Sequence, residues 1–170
     1  LMIPLFAFAV VASGNAVNIS DGLDGLAGGL LSMSYGAFGL IALVQGRYGL
    51  SAFCFTVLGV LLAYIWFNVY PARFFMGDVG SFAWGTSLGV VAMLTNSLLL
   101  LPVIGILFVV EAGSSVIQIF SKKVFKRKVF ISAPIHHHLE AKGWEETKIT
   151  MRFWVISAVS AFVGVLLVLM

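Results

Sequence analysis

Asn15, Asn18, Asp21 and Asp24 recur at every third position of NAVNISDGLDGLAGG. That spacing keeps neighbours on one face of a helical turn, so Asn15 and Asn18 project together from a helix end and the two carboxylates follow in register. Amide and carboxylate oxygens are hard ligands suited to Mg²⁺, and Gly22 and Gly25 let the backbone turn tightly and approach a bound molecule closely. Helix capping accounts for Asp24, which precedes an apolar run, but leaves the other three unexplained.

A second group lies in NVYPARFFMGDVGS, where Asp78 sits between Gly77 and Gly80 just ahead of an apolar stretch. A helix N-terminus beside a carboxylate can grip a phosphate together with its metal, although capping alone would also place an Asp there. Phe74 and Phe75 offer flat faces for a base or, more plainly, packing surface, and Asn68 could hydrogen-bond whatever stacks on them. The third group is PIHHHLEAKGWEE. His136, His137 and His138 cannot all point one way, since neighbours diverge by about 100° on a helix, so a zinc site from this tract alone is not expected. Imidazoles can instead donate hydrogen bonds to phosphate oxygens or move protons near neutral pH. Glu111 stands within an apolar helix, with Gln118 seven positions on and nearly on its face. An acid at such depth must be partnered or functional.

The elements that hold these groups are apolar helices. Of 170 residues, 61% are hydrophobic and 10% charged, against about 25% charged in soluble domains, which excludes a soluble globular fold. The single Cys54 excludes an intrachain disulfide and a Cys-rich zinc site. Leu1 to Ala12 reads as the end of a truncated helix, because a span takes about 20 residues, and with no basic segment ahead of it no signal peptide is expected. Full spans are expected over Leu26–Val44, Leu50–Phe67, 80–95, 99–120 and Phe153–Met170, with a reversal at Thr95-Asn96-Ser97. The prediction is an all-α polytopic transmembrane bundle of about five full spans plus a truncated amino-terminal helix, one membrane domain over 1–170. Alternate threading puts loops of about 18–25, 68–80 and 121–152 on one side, and nine of the ten Lys and Arg residues fall in them, Arg47 being the exception. The positive-inside bias makes that side cytoplasmic, with KKVFKRK as a topology anchor. All three Asp and all three His residues share it.

NAVNISDGLDGLAGG and FFMGDVGS resemble the signatures of the polyprenyl-phosphate sugar-1-phosphate transferases, multi-span membrane enzymes, and PIHHHLEAKGW with RFW at 152–154 narrows the resemblance to their phospho-N-acetylmuramoyl-pentapeptide branch. It runs through essentially the whole chain but covers only the carboxy-terminal half of such an enzyme. The resemblance implies transfer of phospho-N-acetylmuramoyl-pentapeptide from UDP to undecaprenyl phosphate at the cytoplasmic face of the bacterial inner membrane, giving lipid I and UMP with Mg²⁺. It implies Asp78 as main Mg²⁺ ligand with Asn18 as second, Asp21, Gly22, Leu23 and Asp24 lining the uridine region, Phe75 stacking on uracil with Asn68 nearby, and His136, His137 and His138 on the phosphates or sugar-peptide. Asn15 and Glu111 join the substrate-binding candidates. Expected partners are UDP-N-acetylmuramoyl-pentapeptide, undecaprenyl phosphate, membrane lipids and, in a homodimer, a second copy; no nucleic acid is expected. The family also uses an adjacent aspartate pair, and no Asp-Asp dipeptide occurs here, so these residues are expected to be inactive alone. The alternatives are a related N-acetylhexosamine-1-phosphate transferase or an ion transporter, although transporters place ion sites near the bilayer midplane and these acids lie at helix ends.

Overall fold

The computed structural model describes residues 2–170, and among them every regular element is helical. The helices are α1 (Met2–Ser20), α2 (Leu26–Val44), α3 (Tyr48–Asn68), α4 (Gly77–Leu94), the short α5 (Leu101–Ile104), α6 (Ile106–Val124), the short α7 (Ile135–Ala141) and α8 (Glu146–Leu169). The all-α polytopic bundle is therefore as expected, and its helix boundaries differ in informative places.

α1 does not stop where its apolar run breaks. It continues through Ser13, Gly14 and Asn15 to Ser20, and the 18 residues Ile3–Ser20 are long and apolar enough to cross a membrane. The polar residues fit because Ser13 Oγ donates to the Ala9 carbonyl and Asn15 Nδ2 to that of Val11, each satisfied within its own helix. The expected helix over 99–120 is two pieces. A 3-10 turn, Leu98–Leu100, leads into α5, whose start accepts Pro102 at no cost in hydrogen bonding, and the axis then bends by 82° at Gly105 before α6. α8 begins at Glu146 and not at Phe153, and α7 forms inside the stretch read as a loop over 121–152. Four helices, α1, α2, α3 and α8, thus have the length and apolarity of membrane spans, with the bent pair as a fifth. α4 has 18 residues but is diluted by Asp78, Ser81, Thr86 and Ser87.

α2 is the centre of the bundle: 72% of its span is buried, against 22% for α1, α3 and α8. Apolar surface gains little by leaving lipid, so helices associate through close van der Waals approach, which small residues permit. Gly28 faces Tyr64 and Ile65 of α3, Gly39 faces Phe55 and Cys54, and Gly29 lies flat against the Trp154 indole of α8. α1 and α4 meet through Gly14, Gly85 and Gly89 in the same way. α6 is patterned inside out: Glu111, Ser114, Gln118 and Ser121 recur on its buried face while Val109, Val116, Ile117 and Phe120 are exposed. That is the arrangement lipid selects.

Candidate active site

Three turns meet at one end of the bundle: 21–25 between α1 and α2, 69–76 between α3 and α4, and 125–145 between α6 and α8. The turn at 21–25 is the hub. From the last turns of α1, Asn18 Nδ2 donates to Asp78 Oδ1 at 2.9 Å and to Ser81 Oγ at 3.0 Å. Ser81 Oγ in turn donates to the Gly77 and Asp78 carbonyls, fixing the first turn of α4. Asp78 is exposed there, where the helix N-terminus favours its negative charge. Half-buried Asp21 completes the group. Burial first, and then the charge of Asp78, push its carboxyl up to about 6. The residues that resemblance makes metal ligands, Asn18 and Asp78, are thus neighbours although 60 positions apart. Asn15 shares no hydrogen bond with them, since its amide turns back to Val11.

The other half of the turn is built differently. Asp24 Oδ2 accepts the Ala72 N–H at 2.8 Å, and the Asp24 N–H itself donates to Glu146 Oε1 at 2.6 Å. Asn68 is 2% exposed, its Oδ1 accepting the Gly25 N–H and its Nδ2 donating to the Phe74 carbonyl, both at 3.0 Å. From α8, Thr150 Oγ1 donates to the Asp24 carbonyl and Trp154 Nε1 to that of Gly25. Gly25, at φ +74°, takes the left-handed conformation that lets α2 start immediately. Asp24 and Asn68, expected at the nucleotide, fasten the 69–76 loop to the 21–25 turn. Leu23 is buried in the core. Gly22 is needed for space and not for its backbone conformation: a Cβ there would stand 2.5 Å from His136 Nε2.

The fastened loop presents two aromatics in different ways. Phe74 packs on Tyr64 and Phe67, with ring centres 5.5 and 5.8 Å away, and Tyr64 Oη accepts the Met76 N–H. Phe75 is 67% exposed and keeps its face free for stacking.

The three histidines part, as their angular spacing requires. His136 is fully buried, with Nδ1 2.8 Å from Glu111 Oε2. His137 pairs with Glu140 one turn along α7 at 2.5 Å, and His138 Nδ1 accepts the Ile131 N–H while its ring meets Phe130 edge-on. Gln118 is equally occupied, its Oε1 accepting the Val129 and Phe130 N–H groups and its Nε2 donating to the Phe130 carbonyl. Sequence reasoning missed Ser81, Glu146 and Thr150. Ser81, three residues after Asp78, was within reach of the same spacing argument; the other two act through a turn 122 and 126 positions away.

Among the described residues no three His, Cys, Asp or Glu side chains form a metal cage. The donors at the rim are two carboxylates and an amide that can rotate to present its oxygen. This suits a Mg²⁺ ion, which keeps several waters and binds through one or two carboxylates plus substrate phosphates.

The fold is a bundle of apolar, membrane-spanning helices with carboxylates gathered at one end, and comparison with known proteins gives it a family. Residues 1–96 match glycosyl transferase family 4, and the chain belongs to that family. It is 49% identical to a phospho-N-acetylmuramoyl-pentapeptide-transferase of Chloroflexus aurantiacus over 98% of this chain and 48% of that protein. It is 46% identical to the protein of that name from a Wolbachia of Drosophila simulans, over 94% of this chain and 51% of that one. For Geobacillus kaustophilus the identity is 44%, over 95% and 50%. The chain spans about half the length of the curated relatives it matches.

Proposed function

We propose that the protein carrying this chain transfers phospho-N-acetylmuramoyl-pentapeptide from its UDP carrier to undecaprenyl phosphate, releasing UMP and forming lipid I at the cytoplasmic face of the bacterial inner membrane. The observation that carries this reading is the meeting of Asn18, Asp21 and Asp78 at an exposed rim beside the free face of Phe75. A water-soluble nucleotide and a lipid phosphate can both reach such a place.

In the reaction an oxygen of the lipid phosphate attacks the sugar-bearing phosphorus of the donor. A new phosphorus–oxygen bond forms, the bond to the UMP phosphate breaks, and UMP leaves with the electron pair. Both reactants are anionic, so bringing them together needs positive charge. Mg²⁺, when bound, offsets their repulsion and the charge that develops on the leaving phosphate. Asp78, with the Asn18 amide oxygen, would hold it. Phe75 offers a stacking face to uracil, and Asp24 and Asn68 keep that face in place by tethering its loop. Asp21, its carboxyl pushed up to about 6 by burial and by the charge of Asp78, would respond to charge arriving at Asp78.

The test is reconstitution of the complete protein in lipid with both substrates. UMP release that requires undecaprenyl phosphate and Mg²⁺ together supports the reading. Release without the lipid phosphate, or lipid-linked product without UMP, refutes it.

A further inference from the structure

Lys122, Lys123, Lys126, Arg127 and Lys128 are all exposed, and among the described residues no carboxylate pairs with any of them. Lys122 and Lys123 have an ordinary explanation, because they occupy the last turn of α6, where the helix dipole favours positive charge. Arg127 and Lys128 stand beyond the helix and have no such partner. A topology anchor requires cations on this side of the membrane, but it does not require them to be held in one place.

These two are held. Lys126 takes the left-handed conformation at φ +53°, and the chain turns back toward α6. Ser121 Oγ then donates to the Arg127 carbonyl at 2.8 Å, and Gln118 ties Val129 and Phe130 by three hydrogen bonds. Both side chains are buried on the inner face of α6. The fold-back leaves an open cleft of about 530 Å³ lined by Ser121, Phe125, Arg127, Lys128 and Val129. Phe125 and Val129 are exposed there, and so are Val124 and Phe120, whose ring centre lies 6.2 Å from that of Phe125.

We propose that this cleft binds the headgroup of an anionic phospholipid of the cytoplasmic leaflet, with its phosphate on Arg127 and Lys128 and its acyl chains over the exposed aromatic and aliphatic residues. A guanidinium fork matches phosphate oxygens two at a time, and the leaflet's negative surface gathers basic segments that directly follow a membrane helix. A soluble anion would leave the apolar residues around the cleft in water, whereas a lipid covers them. The hydrogen bonds of the segment run to α6 and, through the Ile131 N–H and His138, to α7. Among the described residues none joins it to the turns at 21–25 or 69–76, so the assigned ligand is a lipid of the surrounding membrane and not a reacting one. The proposal stands apart from the transferase reading.

Native mass spectrometry of the complete protein, with phosphatidylglycerol or phosphatidylcholine of equal chain length added, tests it. Phosphatidylglycerol should bind more tightly by about tenfold or more. Arg127→Gln combined with Lys128→Gln should abolish that preference. Lys122→Gln combined with Lys123→Gln removes the same charge outside the cleft and should reduce the preference by less than about threefold. Ser121→Ala changes no charge but releases the Arg127 carbonyl, and it should weaken phosphatidylglycerol binding several-fold. Equal binding of the two lipids by the wild type overturns the proposal. Equal loss in the two paired variants does so too, because it would leave only a diffuse basic surface. Displacement of phosphatidylglycerol by an equimolar amount of undecaprenyl phosphate would also overturn it, by making the cleft an acceptor site. If the Arg127 and Lys128 pair does not fold, the wild-type preference and Ser121→Ala decide.

Discussion

Asp21 and Asp24 share a residue type, a turn and a spacing of three, and they do opposite work. Asp24 has its carboxylate on the Ala72 N–H and its backbone N–H on Glu146, so its interactions are made before any ligand arrives. Asp21 faces a second carboxylate at Asp78 and is pushed to about 6 by burial and by that neighbour. One half of the turn is scaffold and the other is a site under electrostatic strain. Folding alone would not place two acids beside each other, because like charges destabilise unless something positive joins them. The uncompensated half is therefore where we place the proposed site.

The largest test of that division is Asp78→Asn in the complete protein. Losing a charge that acts on the reacting groups costs about 10²- to 10³-fold or more in rate. Turnover should fall by at least that, while the melting temperature stays level or rises as the repulsion with Asp21 goes. A matching loss of stability would assign Asp78 to the scaffold. Next comes Phe75→Ala. Base stacking on an aromatic contributes about 1–3 kcal/mol, so uridine nucleotide affinity should weaken by about 5- to 150-fold with lipid phosphate binding unaffected, as titration of each ligand separately would reveal. Equal loss of both would mean that the exposed ring serves something other than the nucleotide.

On the scaffold side, Asp24→Ala strips the acceptor from the Ala72 N–H and loosens the 69–76 loop. Leaving a partly buried donor unpaired costs about 1–3 kcal/mol. Thermal unfolding should register it, and hydrogen exchange at Ala72 should quicken. If stability and exchange hold while turnover collapses, Asp24 belongs with the ligand-facing half.

What was legible in the chain follows the same division. The register of Asn18 and Asp21, the placement of Asp78 at a helix start and the one-sided Lys and Arg distribution are local or compositional signals, and each pointed to the end of the bundle where the three turns meet. The scaffold was hidden because its partners are remote. Nothing near Asp24 indicates that Ala72, 48 positions on, will take its carboxylate, or that Glu111 and His136, 25 apart, will meet. Hydropathy also says how long an apolar run is and not where it bends, so the 82° turn at Gly105 left no trace in an uncharged stretch. The error at α8 was the converse. Glu146, Lys148 and Arg152 look like loop, yet Lys148 and Arg152 lie over the Trp144 ring at 5.0 and 4.6 Å and extend the helix by about two turns beyond the apolar run.

The smallest effect, and the one that reads the strain directly, is the pH dependence of Asp21 in protein freed of divalent cations by chelation. Its carboxyl is raised from 3.8 to about 6 on folding, so between those values the folded state holds a proton that the unfolded chain has released. Stability therefore falls as pH rises from about 4 to about 6 and levels off above, the reverse of the usual paired carboxylate. Asp21→Asn removes the titration, so the difference in melting temperature between variant and wild type should grow in the variant's favour across that interval. Restoring Mg²⁺ should shrink the difference, because a cation at Asp78 makes the second negative charge welcome. A difference that is flat with pH, or unmoved by the cation, would mean that Asp21 is already compensated and that the two halves of the turn are alike.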